Sequence, residues 1–128
     1  MMQLSGLCPL LQVFDMPSSL HFYRHFLDFE TVQETPDWVW LKRDNFELML
    51  NTAYESPHRP NEPDPARQAA HADTCLFLGC PDPDAAHAEL TAKGLHLAPP
   101  QTAPYGMRQL NLQDPDGYGL CLQWPVAQ

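Results

Sequence analysis

Basic side chains are scarce in this 128-residue chain: seven Lys and Arg stand against 16 Asp and Glu, for a formal charge of -9 and a pI near 4.8. That balance repels phosphate backbones and anionic bilayers, so neither nucleic acid nor a membrane is an expected partner. Apolar runs of membrane-spanning length are missing too, and Met1 to Leu7 lacks the basic segment, apolar core and cleavage pattern of an export signal. The expected compartment is therefore the cytoplasm. Cys8, Cys75, Cys80 and Cys121 include no C-x-x-C pair, and in such a compartment they are expected to be free thiols. Also absent are a G-x-S-x-G elbow, a phosphate-binding glycine loop, a dinucleotide fingerprint and a paired acid/base motif, which leaves hydride and phosphoryl transfer without support. No residue is assigned a catalytic role.

What is present suits one globular domain over 1–128, since 44% of the residues are hydrophobic and a chain of this length buries roughly two-thirds of its unfolded surface. A strand over Cys8 to Phe14 ends at Asp15, Pro17 and two serines that can start a helix. In that helix Leu20, Tyr23, Phe26 and Leu27 form one apolar stripe, while His21, Arg24 and His25 lean towards water. Strands follow at Glu30 to Glu34, Trp38 to Lys42 and Phe46 to Asn51, separated by Thr35-Pro36-Asp37 and Arg43-Asp44-Asn45 as turn chemistry. Thr52 to Ala70 holds Pro57, Pro60, Pro63 and Pro65 among polar residues without helical or strand periodicity, and is read as a linker or lid.

Beyond this segment the first pattern returns. Cys75 to Cys80 is an apolar strand, Asp82-Pro83-Asp84 caps a helix, and Gly94 ends it. The interval from Cys8 to Asp15 equals that from Cys75 to Asp82, and Leu27-Asp28-Phe29 falls where Gly94-Leu95-His96 falls in the second copy. Strands are expected near Leu95 to Ala98, Met107 to Gln113 and Tyr118 to Trp124, the last two joined by Asp114-Pro-Asp-Gly117. An internal repeat of about half the chain constrains the architecture more than any single element does.

Pro9 to Asp15 (PLLQVFD), Leu20 to Phe29 (LHFYRHFLDF), Pro104 to Arg108 (PYGMR) and Asp114 to Tyr118 (DPDGY) resemble, in that order, the running signature of the vicinal-oxygen-chelate superfamily, the glyoxalase, bleomycin-resistance and dioxygenase-like proteins. The bleomycin-resistance type is the nearest. The resemblance implies an α+β fold of two βαβββ modules, here about 6–52 and 71–126 with a linker at about 53–70. It further implies a cupped mixed sheet with helices on its convex face, a small-molecule pocket in the concave face, and a homodimer that builds each pocket from two chains.

Metal-dependent members resemble one another in placing ligands on the first and fourth strand of each module. Carried over to this chain, those positions are Cys8, Glu47, Cys75 and Cys121. Strand parity agrees: if Leu11 and Val13 face the helices, Cys8 and Gln12 face the cup, as do Glu47, Met49 and Asn51 on the fourth strand and Gly119, Cys121 and Gln123 on the last. Two readings of the cysteines stand. They can be small buried hydrophobes where no metal is needed, or a thiolate-rich site for Zn²⁺ or another soft or borderline ion.

Six histidines are read as structural or solvated, with none assigned to a pair at metal spacing: His21, His25 and His87 on helices, His58 and His71 beside the linker, and His96 near a strand. The expected ligand-binding residues are Trp38, Trp40, Tyr54, Tyr105, Met107 and Arg108, the last matching the arginine of the bleomycin-resistance pattern. Rings of this kind can sandwich a flat or cationic molecule. The leading expectation is a binding protein that sequesters an amphipathic or cationic ligand without metal, a role that includes antibiotic resistance. The alternative is a glyoxalase-like lyase, isomerase or dioxygenase with a cysteine-rich metal site.

Overall fold

Alternating burial marks three of the four strands of the first sheet, and the fourth, at its edge, is exposed throughout. A computed structural model describes residues 1–55 and 57–127. In it, β1 (Leu10–Val13), β2 (Glu30–Glu34), β3 (Trp38–Arg43) and β4 (Phe46–Thr52) form a four-stranded sheet in the order β1-β4-β3-β2. β1 runs parallel to β4, and the other neighbours are antiparallel. Leu11, Val13, Val39, Leu41, Leu48 and Leu50 are buried on one face. The intervening residues lie on the opposite face, as the two-residue period of a strand demands.

The buried face packs against α1 (Met16–His21) and the wider π turn that continues it over Phe22–Phe26. Asp15 starts the helix by accepting hydrogen bonds from the Ser18 backbone N–H and hydroxyl, and Pro17 occupies the first turn, where a missing N–H costs nothing. Of the expected stripe, Leu20, Tyr23 and Leu27 are buried but Phe26 is only half-buried, and the π turn brings Phe22 inward in its place. Tyr23 stands edge-on to both Phe22 and Phe29. Asp28, at φ 56°, ends the segment, and the Phe29 N–H closes on the Tyr23 carbonyl.

The second sheet repeats the first. β5 (Cys75–Gly79), β6 (Gln101–Thr102), β7 (Met107–Gln113) and β8 (Gly119–Pro125) are ordered β5-β8-β7-β6, with β5 parallel to β8. Between β5 and β6 lies α3 (Pro83–Ala92), capped by Asp82 through the Ala85 N–H and closed at Gly94, φ 98°. Two βαβββ modules in one α+β chain are thus the observed architecture.

Two elements differ from expectation. Leu95 to Ala98 is not a strand, and the ladder to β7 is confined to Gln101 and Thr102. Pro99 and Pro100 have no N–H to donate, and the Leu97 carbonyl is taken by the His87 ring 3.2 Å away. Conversely, the segment read as irregular contains α2 (Pro65–Ala70), followed by a 3₁₀ turn over His71–Asp73. Asp64 caps α2 through the Ala66 N–H, the same Asp-and-Pro chemistry that opens α1 and α3. Its six residues carry no apolar stripe, which hid it from periodicity.

The chain divides into two compact units, 1–63 and 64–128, with the boundary inside the proline-rich segment. Among the described residues no helix is long and apolar enough to cross a membrane.

Candidate functional site

In the first unit the face of the sheet turned away from α1 carries Leu10 and Gln12 on β1, Glu47, Met49 and Asn51 on β4, and Trp38, Trp40 and Lys42 on β3. Their register sets Leu10, Met49 and Trp40 side by side, then Gln12, Asn51 and Trp38, with Glu47 opposite Lys42. Leu10 is 46% exposed, and Trp38, Trp40, Glu47, Met49 and Asn51 are half-buried. This is an apolar and aromatic surface with two neighbouring amides, Gln12 and Asn51, at one end and one acid–base couple at the other. Trp38 and Trp40 share the face on which parity put them.

The corresponding face of the second unit is polar where the first is aromatic. Phe77 of β5 is 58% exposed and lies opposite Cys121, while Gln109, Asn111 and Gln113 of β7 share the same side. The Gln109 amide N–H₂ donates to the Tyr105 hydroxyl at 2.8 Å and to the Gln123 side-chain Oε1 at 2.9 Å. That fixes Tyr105, otherwise exposed, at the end of the sheet, beyond half-buried Met107.

Arg108 does not join this set. It shares parity with buried Leu110 and Leu112, on the α3 side, and donates to both carboxylate oxygens of Asp84, at 3.1 and 2.7 Å. Its Nη1 also reaches Thr102. The bidentate contact holds the Asp84 carboxyl below its usual range and raises the guanidinium above its own. The even parity of 108 with two leucines was the available signal.

Of the four positions carried over as metal ligands, Cys8 and Glu47 belong to the first unit and Cys75 and Cys121 to the second. Burial, then the Glu47 charge, pushes the Cys8 thiol up, and burial, then Cys75, does the same to Cys121. Cys75 is raised by burial alone. All three are held as neutral thiols at neutral pH. Cys121 is buried, as a small hydrophobe would be.

Tyr54 lies away from the tryptophan face. Its ring meets Phe14 edge-on at 6.3 Å and lines a cleft of about 340 Å³ with Met16, Asp37, Thr52 and Arg59. Arg59 reaches Asp15 at 2.7 Å and stands 4.4 Å over the Phe14 ring, so this part of the proline-rich segment is tied to the start of α1. The segment's other end is tied to the β7–β8 turn: Arg67 pairs with buried Asp116 at 2.9 Å, and His71 stacks on Tyr118 at 3.9 Å with Nδ1 2.7 Å from the Asp116 carbonyl. Each half of the expected linker is thus fastened within its own unit.

One juxtaposition escaped the reading of the histidines. His21 and His25 stand four residues apart and their rings stack, centroids 4.9 Å apart and planes at 17°. The spacing was legible, but the shared side of the rings was not.

The profile of the glyoxalase/bleomycin resistance protein/dioxygenase superfamily matches residues 7–122. Among solved structures, the chain is similar to a bleomycin-binding protein from Streptomyces verticillus complexed with copper(II)-bleomycin, at TM-score 0.69 and 21% identity over 100% of both chains. It is similar to the antibiotic-binding protein TnmS3 from Streptomyces sp. CB03234, at 0.72 and 23% over 98% of this chain and 99% of that one. It is also similar to the bleomycin resistance determinant of transposon Tn5, at 0.74 and 20% over 97% and 100%. At these identities the likeness is one of fold. No curated protein matches the chain.

Proposed function

The chain belongs to the glyoxalase/bleomycin resistance protein/dioxygenase superfamily, and we propose that within it this protein is a homodimeric, cytoplasmic, metal-independent binding protein that sequesters a planar or cationic amphiphile. The observation that carries the reading is the face of the first unit's sheet turned away from α1, where Leu10, Trp38, Trp40 and Met49 lie side by side. Such a surface supplies stacking and cation–π contacts of about 0.5–1.5 kcal/mol each beyond burial. The charge of -9 raises the local concentration of a cation. Arg108, held by Asp84, is left out of the ligand set. The homodimer belongs to the reading because a two-fold pairing would cover the free strand edges.

The donor chemistry argues against the metal-dependent alternative. Three thiols and one carboxylate, with no imidazole among the four positions, do not fit an open nitrogen-and-oxygen site of the kind that polarises a substrate. No catalytic step is assigned to them.

Copper(II)-bleomycin, bound by the similar Streptomyces verticillus protein, and a DNA-intercalating dye are the probes of choice. A ligand at a hundred times its dissociation constant adds roughly 2.7 kcal/mol of stability. The expected result is a raised melting temperature with quenched tryptophan emission, both reduced in Trp38→Ala. Stabilisation only by compact anions or glutathione-like thiols, indifferent to Trp38→Ala, overturns the reading. So does stoichiometric metal in protein purified without added metal, lost on changing Cys75. A sedimentation mass of 14.5 kDa at micromolar concentration would sink the dimer alone.

A further inference from the structure

We propose that His21 and His25 form a surface site for a borderline divalent metal ion, Cu²⁺ before Ni²⁺ and Zn²⁺, separate from the ligand face and independent of the reading just given. The pair straddles the junction of α1 with its π turn, His21 closing the one and His25 lying in the other. Two histidines at i and i+4 on one helix face can bind a single metal ion, because both imidazoles then project from adjacent turns to the same side. Here both side chains are exposed and their rings are already parallel, with centroids 4.9 Å apart. A metal bonded at about 2.0–2.1 Å to each ring needs nitrogens roughly 3–4 Å apart, so the exposed rings must turn out of their stack until both ring planes converge on the ion.

The surroundings favour occupancy. Phe26 stands edge-on to both rings, at 5.4 Å from His21 and 4.9 Å from His25, and backs them as a wall. Arg24, the one cation between them in sequence, borders the same depression but has its guanidinium engaged by Thr31 and Glu34. Among the described residues neither imidazole has a hydrogen-bond partner that a metal must displace. The rings, with Pro17, Leu20 and Arg24, line a shallow open depression, which leaves the remaining coordination positions to water. Imidazole donors and an open geometry place Cu²⁺ highest in the order of affinities.

The test uses the whole protein and the metals alone. Titration calorimetry with NiCl₂, which avoids copper-driven thiol oxidation, should give one site per chain, and Cu²⁺ should broaden the ring resonances of His21 and His25 before any other. His21→Ala and His25→Ala should each weaken Ni²⁺ binding at least about tenfold, as loss of one arm of a chelate does. Both positions are exposed, so the melting temperature without metal should not move. No binding by the wild type, or binding that survives the double variant because thiols or the chain terminus hold the ion, overturns the proposal.

Discussion

The two units share an element order and a sheet order, yet they hold themselves together differently. In the first, α1 and its π turn bury Met16, Leu20, Phe22 and Tyr23 against the sheet, with Leu27 and Phe29 behind them. In the second, α3 buries only Pro83 and Leu90. What the second unit lacks in apolar cover it makes up in polar fastening. Asp114 accepts from the Asp116 and Tyr118 N–H groups inside the β7–β8 turn, while Asp116 holds Arg67 and its carbonyl meets His71. A Cβ on Gly117, at φ 90°, would collide with the Gln68 carbonyl, so the turn and α2 fit only with glycine between them. One topology therefore tolerates two distributions of stabilising contact, one aromatic and one ionic, because what it requires is that each sheet face be covered or solvated, not how.

The largest effect that would sharpen this comparison is Tyr23→Ala, expected to cost about 4 kcal/mol in urea unfolding, since the ring is fully buried. Leu90→Ala in α3 should cost about 3 kcal/mol. If Leu90→Ala proves the more damaging, the contrast between the helices is wrong. Asp116→Ala should cost about 3 kcal/mol, because it leaves the part-buried Arg67 guanidinium without its carboxylate. Hydrogen exchange should then show faster opening of 65–73 than of the first unit, and uniform exchange would break the idea of a local clamp.

A smaller effect belongs to Asp15. The Ser18 hydrogen bonds first, and Arg59 second, hold its carboxyl below the ordinary range. A folded-state pKa below the unfolded one gives stability that is complete above the ordinary carboxylate pKa and lost as pH falls through the folded value. Asp15→Ala should therefore cost about 1 kcal/mol at neutral pH, and the difference from wild type should shrink at acid pH. A constant difference would show that the cap does not act through its charge. Least of all is expected from Arg108→Ala: its pair with Asp84 is solvent-screened, so the melting temperature should hardly change and binding of an aromatic cation should be retained. Loss of that binding would return Arg108 to the ligand set.

Much of this was legible in the residues. β2 and β7 fall on the expected spans and β3 and β4 within a residue of them: β3, β4 and β7 place buried Val or Leu at alternate positions, and β2, exposed throughout, was bounded by the turn chemistry that follows it. The Asp-and-Pro caps of α1 and α3 were equally plain. What escaped has a common cause. The short β6 depends on what β7 and His87 offer it, α2 on a turn about 50 residues further along the chain, and Arg108 on an aspartate 24 positions back.

By itself, then, the sequence determined the repeat, the βαβββ order, the family and the parity that sets Trp38 beside Trp40, since these follow from local periodicity, caps and turns that act over a few residues. Only the tertiary structure decided that Arg108 answers to Asp84, that Tyr54 leans on Phe14 and not on the tryptophan face, and that His21 and His25 lie ring on ring. Those partnerships depend on how strands and helices pack in three dimensions and on which rotamer each side chain takes there, and a one-dimensional pattern encodes neither.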